Sequence, residues 1–594
     1  MIYIGQAKDF RDLPALIDIN KEKFYLIKSQ TKYRLVSTIC PHQGGTVEFC
    51  DEKECFVCPI HQWEFDKNTG MQINSDKMRL KSYEIVEIEG ELYVNIIRET
   101  VDNKILQKVN EYPIIKLHAH ACIEVIYNDF HLLCDPWLEG PAFLGAWLQY
   151  PPANVSIKDL KPDAIWISHE HSDHFHIPTL EKIDKNIPIY IPAFPNCRME
   201  IELGKLGFKN IHIMPWGEKV NINTSISITT YQPSSLWNDA FVLIEIGNFK
   251  LLNLNDAGIN HQVAKLVGPV HAIASSFSPG ASGYPLTWEH ISEKQKRAIM
   301  ANSRQGILKM LEQAAEIYGA TYIFPFASHF TLWKPEHDKY MKQLLRNTVS
   351  DVVEYFKDKP YKVIDILPGG VWDTSTNSVE NIASHSKKEQ VLEAYKKFVS
   401  NEQPILEKRR LSKEKLIDYF LNLNNIPEMI FCEDLTCSIQ TVYDSEVTHT
   451  LYFKVEQGVL EIVNKIADVP NITMKIPENI MYYIIENNES WDEATIGYWC
   501  VFSRNPDVYH ADFWRILQAP YYKKSTKLDR ITENISIAEI LEQKGELAER
   551  ILGRAGLYCG GCQGSIYETL EQGAVAHGLS TLEINRMVKA LNRI

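Results

Sequence analysis

Two short loops constrain this chain more than any other feature: Cys40-Pro41-His42 and, after fifteen intervening residues, Cys58-Pro59-Ile60-His61. Each offers one thiolate and one imidazole. Such a pair suits a 2Fe-2S cluster with two cysteines on one iron and two histidines on the other, the neutral imidazoles raising its potential above that of an all-cysteine cluster. The same four side chains would also satisfy a tetrahedral structural zinc, and unrelated turn residues are the plainest alternative. The surrounding sequence is β-rich, with KFYLIKS, YRLVST and LYVNII as short strands between polar turns. It predicts a first domain over 1–105.

The spacing resembles a Rieske domain. Trp63 and Phe65 follow the second histidine as the aromatic stretch does in oxygenase-type Rieske domains. Gln43, Gly44, Gly45, Ile60 and Gln62 stand where respiratory Rieske proteins place an extra bridging cysteine, so the soluble electron-carrying type is expected. Cys50 and Cys55, between the loops, read as ordinary small residues.

A second cluster of ligand-type side chains follows the strand AIWIS: His169-Glu170-His171-Ser172-Asp173-His174. Four donors in six residues can hold two metal ions, His169 and His171 on one, Asp173 and His174 on the other. A chance histidine-rich loop is the alternative. The motif resembles that of the metallo-β-lactamase fold, which takes further ligands from later strand ends. On that pattern Asp256, ending LLNLND, fits the bridging carboxylate, and His329, after YIFPF, suits the last ligand. The intermediate position carries Gln232 where a histidine is usual; Gln232 itself, a water or His120 would have to complete the shell. His118, His131 and His176 read as supporting or surface residues. Alternating strands and helices from about Tyr112 to Gly370 predict a layered α/β domain over 106–385, including a helix near Gln305–Gly319.

A dinuclear hydrolase needs no electrons, whereas dioxygen activation at iron does. The two motifs in one chain therefore point to an oxygenase with two non-haem iron ions, the alternative being a dinuclear zinc hydrolase of phosphodiester or lactam type with a vestigial cluster. The chain also resembles the CMP-N-acetylneuraminate hydroxylase (monooxygenase) family. The likeness is carried by Cys40-Pro-His-Gln-Gly-Gly45, His120-Ala-Cys122, Asp135-Pro-Trp-Leu-Glu-Gly-Pro-Ala-Phe143, Ser168-His-Glu-His-Ser-Asp-His174, Gly280-Ala-Ser-Gly-Tyr-Pro285, Pro325-Phe-Ala327, Asp338-Lys-Tyr340 and Arg504-Asn-Pro-Asp-Val-Tyr-His-Ala-Asp-Phe-Trp514. It implies hydroxylation of the N-acetyl group of a CMP-linked sialic acid, or of a related N-acyl or amine substrate. Dioxygen would be the co-substrate. Electrons would come from NAD(P)H through a reductase and a donor protein, whether cytochrome b5-like, ferredoxin or flavin reductase. Glu170, beside the ligands, is the candidate proton carrier, with a structural acid as the alternative.

The remaining sequence predicts a helical connector over 386–425, a small α+β domain over 426–545 and a helical appendix over 546–594. The antiparallel meander after Phe431 resembles a sterol-carrier-protein-like fold, and the stretch ESWDEATIGYWCVFS reads as helical. Trp137, Phe143, Tyr284 and Trp288 would line an apolar pocket or pack the core. Arg504, Tyr509 and His510 would meet an anionic substrate or form a surface network. Cys559-Gly-Gly-Cys562 has redox or metal spacing, although a glycine-rich turn or half of an intermolecular metal site fits it as well.

Composition excludes several function classes. With 62 basic against 76 acidic residues the formal charge is -14, which disfavours broad adhesion to nucleic acid or anionic membrane. No apolar run approaches the roughly 18–20 residues of a membrane span, and the sparse 12 cysteines fit a reducing, cytoplasmic setting without structural disulfides. Self-association into a homo-oligomer is compatible with all of this.

Overall fold

The computed structural model describes residues 2–10, 12–19, 22–29, 32–41, 45–58, 63–73, 79–94, 111–153, 155–194, 196–233, 239–280, 282–381, 393, 409–426, 429, 432–525, 531–557 and 568–592. The expectations for His42, His61, Cys559, Cys562 and most of the 386–425 connector fall outside these residues.

The amino-terminal region pairs six strands in the order Ile2–Gln6, Glu91–Val94, Ser82–Ile88, Lys32–Ser37, Glu22–Ser29, Ala15–Ile19. A three-stranded sheet, Glu48–Cys50, Cys55–Val57 and Glu64–Asp66, sits beside it. Alternation sends Tyr25, Ile27, Val36, Phe56, Phe65 and Leu80 into one core with Cys40 and Cys58. Both cysteine loops close in the same way: the Cys40 N–H donates to the Gly45 carbonyl at 2.7 Å and the Cys58 N–H to the Trp63 carbonyl at 2.8 Å. Each bond spans five residues, so the two cysteines open segments of equal length.

The central region is an αββα sandwich. One sheet has eight strands, ordered Ile211–Met214, Ile189–Pro192, Ala164–Trp166, Phe130–Cys134, Cys122–Tyr127, Ile114–Ala119, Val371–Asp373, Ser378–Glu380. The other has seven: Lys219–Asn221, Ile226–Tyr231, Phe241–Ile246, Phe249–Asn255, Ala272–Ser276, Tyr322–Phe326, Lys362–Val363. Their facing sides bury Ile115, Leu117, Val125, Ile228, Val242, Phe324 and Trp372, and near-continuous apolar runs such as FVLIEI are what strands covered on both faces require. The helix expected near Gln305–Gly319 spans Glu293–Ile317; a Ser292/Gln295 capping box starts it twelve residues earlier.

The third region has five strands in the order Val459–Val463, Glu446–Glu456, Leu435–Tyr443, Ile472–Pro477, Val501–Arg504. The expected meander is its first half, and Ile472–Pro477 joins it parallel to Leu435–Tyr443. The stretch read as one helix divides: Trp491–Thr495 is helical, and Val501–Arg504 is a strand paired with Ile472–Pro477. Sheet pairing there overrides the local pattern. This region does not stand alone. Its buried Ile439, Phe453, Met474, Trp491, Tyr498 and Phe502 share one core with Trp137, Phe143, Trp147 and Phe330 of the sandwich. Helices Ile537–Arg554, Leu570–Ala576 and Thr581–Leu591 form a separate small core at the carboxyl end.

Candidate metal centre

The site lies along one rim of the sandwich, where five strands end. His120 turns the corner after Ile114–Ala119, Asp135 follows Phe130–Cys134, and the His169–His174 loop leaves Ala164–Trp166. Asp256 follows Phe249–Asn255, and His329 lies between Tyr322–Phe326 and Phe330–Leu332. Loops at the carboxyl ends of strands are free of ladder bonding, which is why such rims carry function. The backbone there is constrained: φ is +24° at His120, +44° at Asp135 and +57° at Asn255, a region that costs a non-glycine residue on the order of 1–3 kcal/mol.

The side chains gather into two adjacent groups, His169, His171 and Asp256 in one, His120, Asp173 and His174 in the other, with donor atoms in each within 4.8 Å of one another. His169 Nε2 faces His171 Nδ1 at 2.9 Å. His120 Nε2 lies 3.1 Å and His174 Nε2 3.6 Å from Asp173 Oδ2. Asp256 Oδ2 is 3.9 Å from His174 Nε2, so this carboxylate reaches across to the second group as a bridge would. His329 falls in neither group; its ring packs 5.3 Å from that of Phe277. Gln232 accepts a hydrogen bond from Gln572 at 3.0 Å. His120 occupies the place in the second group that the sequence left open.

The donors are chemically fit for cations. His120 Nδ1, Asp173 Oδ1, His174 Nε2 and Asp256 Oδ1 are buried without a hydrogen-bond partner among the described residues. Each such atom would cost about 1–3 kcal/mol if nothing satisfied it, and these residues are among the ones whose donor atoms cluster as a metal would need. Each group is two histidines and one carboxylate, the set that suits non-haem iron(II) with open positions.

Outer partners fix these ligands. Asp135 accepts from the Ser168 N–H at 2.8 Å and the Ser168 hydroxyl at 3.0 Å, and pairs with His174 Nδ1 at 3.1 Å, leaving Nε2 for the metal. Asp239 Oδ1 lies 3.4 Å from His169 Nδ1, and Asp492 Oδ2 3.5 Å from His171 Nε2. Glu170 takes a hydrogen bond from the Tyr522 hydroxyl. Asp239, Asp492 and Tyr522 carry no sequence signal that singles them out, because each sits far from the motif in the chain.

The charges couple strongly. Burial would lower the basicity of His171 and His174, but the Asp492, Asp173 and Asp256 carboxylates around the first, and Asp173, Asp256 and Asp135 around the second, hold both up to about 10. Burial would raise the Asp173 carboxyl; His174, His120 and His171 outweigh it and bring it to about 2. Burial, then His174 and His171, keep His169 well below its ordinary value. Burial also raises the Glu170 carboxyl.

Elsewhere the expectations resolve into packing and pairing. His118 Nε2 and His131 Nδ1 both bond Glu124, at 3.0 and 2.7 Å. His176 caps the helix Ile177–Leu180. Trp137, Phe143 and Trp288 are buried core residues, with Tyr284 packed against them. Arg504 pairs with Asp507 at 2.5 Å and lies over the Trp288 ring, and His510 pairs with Glu433 at 2.9 Å, a network rather than open anion donors.

The fold and site define a class. Residues 1–84 match the Rieske 2Fe-2S domain and residues 131–273 the beta-lactamase superfamily domain, so the chain joins an electron-carrier domain to a metallo-β-lactamase domain. Along most of its length it is similar to cytidine monophosphate-N-acetylneuraminic acid hydroxylases. The Xenopus laevis protein is 26% identical over 84% of this chain and 90% of its own length, and the Danio rerio protein 26% over 86% and 93%. CmlA, a diiron beta-hydroxylase from Streptomyces venezuelae, aligns with 43% of this chain and 53% of its own at 17% identity and a TM-score of 0.29, too low to carry any argument. Among the described residues no helix is long and apolar enough to cross a membrane.

Proposed function

We propose that this chain is a Rieske-coupled, non-haem di-iron monooxygenase that hydroxylates an anionic small molecule, with the N-acetyl group of CMP-N-acetylneuraminate as the first candidate and related N-acyl or amine compounds next. The observation that carries the reading is the pair of abutting two-histidine, one-carboxylate groups in a chain that also holds the paired cysteine loops. A hydrolytic site would have no use for the second motif.

His169, His171 and Asp256 would hold one iron, and His120, Asp173 and His174 the other. Cys40 and Cys58, buried in one core, would anchor the cluster with His42 and His61. Bound iron supplies one-electron chemistry with dioxygen, which the protein's own side chains lack. Asp135 orients His174 through Nδ1, and Ser168 fixes Asp135. Glu170 Oε2 is buried without a partner and its carboxyl is raised by burial, so it can hold a proton beside the ligands while Tyr522 fixes its orientation. A soluble donor protein would deliver electrons to the cluster, with NAD(P)H as their source through a reductase.

The test is turnover of CMP-N-acetylneuraminate by iron-reconstituted protein with reductant and labelled dioxygen, read by mass spectrometry. One labelled oxygen in the product is expected. Zinc-loaded protein that turns over a phosphodiester or lactam without reductant would replace this reading with a hydrolase.

A further inference from the structure

Besides Tyr522, the third region meets the metal rim through a short segment that follows Glu489. Helix Trp491–Thr495, capped by Ser490, places Asp492 Oδ2 3.5 Å from His171 Nε2. The next residue, Glu493, accepts from the Ser172 N–H at 3.3 Å and the Ser172 hydroxyl at 3.0 Å, and that hydroxyl accepts from the Phe143 N–H at 2.8 Å. Ser172 separates His171, in one donor group, from Asp173, in the other.

The segment is locked in place from both sides. Trp147 Nε1 donates to the Ile496 carbonyl at 3.1 Å, and Trp499 Nε1 to the Phe143 carbonyl at 3.0 Å. Between them Gly497 approaches so closely that a Cβ would lie 2.5 Å from the Glu493 carbonyl oxygen and 2.9 Å from that of Phe143. Asp492 and Glu493 are therefore held against the ligand loop by packed backbone, and not by chance surface proximity.

Ring chemistry gives Asp492 its task. His171 turns Nδ1 toward His169 Nε2 at 2.9 Å, the arrangement of two nitrogens aimed at one cation. The proton of a neutral His171 must then sit on Nε2, where the nearest carboxylate is Asp492. A carboxylate on the far nitrogen of a ligating imidazole fixes its tautomer and angle and strengthens it as a donor.

We propose that Asp492 is a positioning residue for His171 and that Glu493 sets the Ser172 backbone between the two donor groups, so that the third region is a working part of the metal centre. The inference rests on the reading that the His169, His171 and Asp256 group holds a metal.

The test uses the full-length chain, stripped of metal in the second domain and titrated with cobalt(II), read by its visible bands and by bound equivalents. Wild-type protein is expected to take two equivalents. Asp492→Asn, close in shape but uncharged, is expected to weaken one of the two about 10–100-fold, with Asp492→Glu recovering most of the loss and the cluster absorption unchanged in both. Equal wild-type affinity in Asp492→Asn, or equal weakening of both sites, overturns the role of Asp492. Wild-type protein that binds no cobalt overturns the metal reading beneath it.

Discussion

His174 Nε2 and Asp256 Oδ2 lie 3.9 Å apart, joining two donor groups that come from loops 82 residues distant in sequence. That contact brings the two donor groups within reach of one another, as the proposed dinuclear site requires. It also sets what loss of a single ligand should do.

His120→Ala is expected to remove one of two bound iron equivalents, because its group then keeps only Asp173 and His174. His329→Ala should keep both, since His329 lies outside both groups. Iron counting on reconstituted protein separates the two variants, and the reverse result would return His329 to the ligand shell.

Cys58→Ser should abolish the visible and magnetic-resonance signature of the 2Fe-2S cluster while leaving the iron of the second domain in place. The cysteine sits in the small core of the first region and belongs to neither donor group. Steady-state hydroxylation should fall to background. Turnover at the wild-type rate with a protein electron donor would show that the cluster is not on the electron path.

Acid sensitivity should show the Glu124 network. Burial would raise this carboxyl, but hydrogen bonds from His118 and His131 bring it down to about 2, against roughly 4.3 in an unfolded chain. The native state therefore binds the proton less readily. The stabilisation is complete above about pH 4.3 and is lost as pH falls toward 2, amounting to about 3 kcal/mol. Denaturant melts from pH 6 down to 3 should give Glu124→Gln a flatter loss of stability than wild type; parallel curves would refute the assignment.

Gly497→Ala tests the lock between the third region and the ligand loops. The added Cβ meets backbone oxygens of Glu493 and Phe143, which cannot move aside as a flexible side chain would. A cost of about 1–3 kcal/mol is expected in denaturant melts, together with weaker metal retention. An unchanged midpoint would mean that the segment yields.

Local chemistry was readable wherever a motif is contiguous. The cysteine loops, the His169–His174 run and the strand before it stand within a few residues of one another, and spacing alone gives them meaning. Asp256 was legible for a similar reason: a carboxylate ending an apolar strand has few structural uses. His329 stands at a strand end as a ligand would, its ring beside Phe277 and its Nε2 buried, but outside both donor groups. His120 was one of three options because nothing in its neighbours fixes which way a two-residue turn points.

Sequence by itself determined the Rieske-type motif, the histidine-rich loop, the β-rich first region, the layered sandwich and the strands of the third region, since each depends on periodicity and residue type along a short stretch. Tertiary structure alone decided that His120 comes beside Asp173 and His174, that Gln232 accepts from Gln572, and that Asp492 and Glu493 arrive at His171 and Ser172 from more than 300 residues away. The physical reason is range: side-chain pattern reports on neighbours in the chain, whereas a metal shell is closed by whichever donors the packed core brings within a few ångströms.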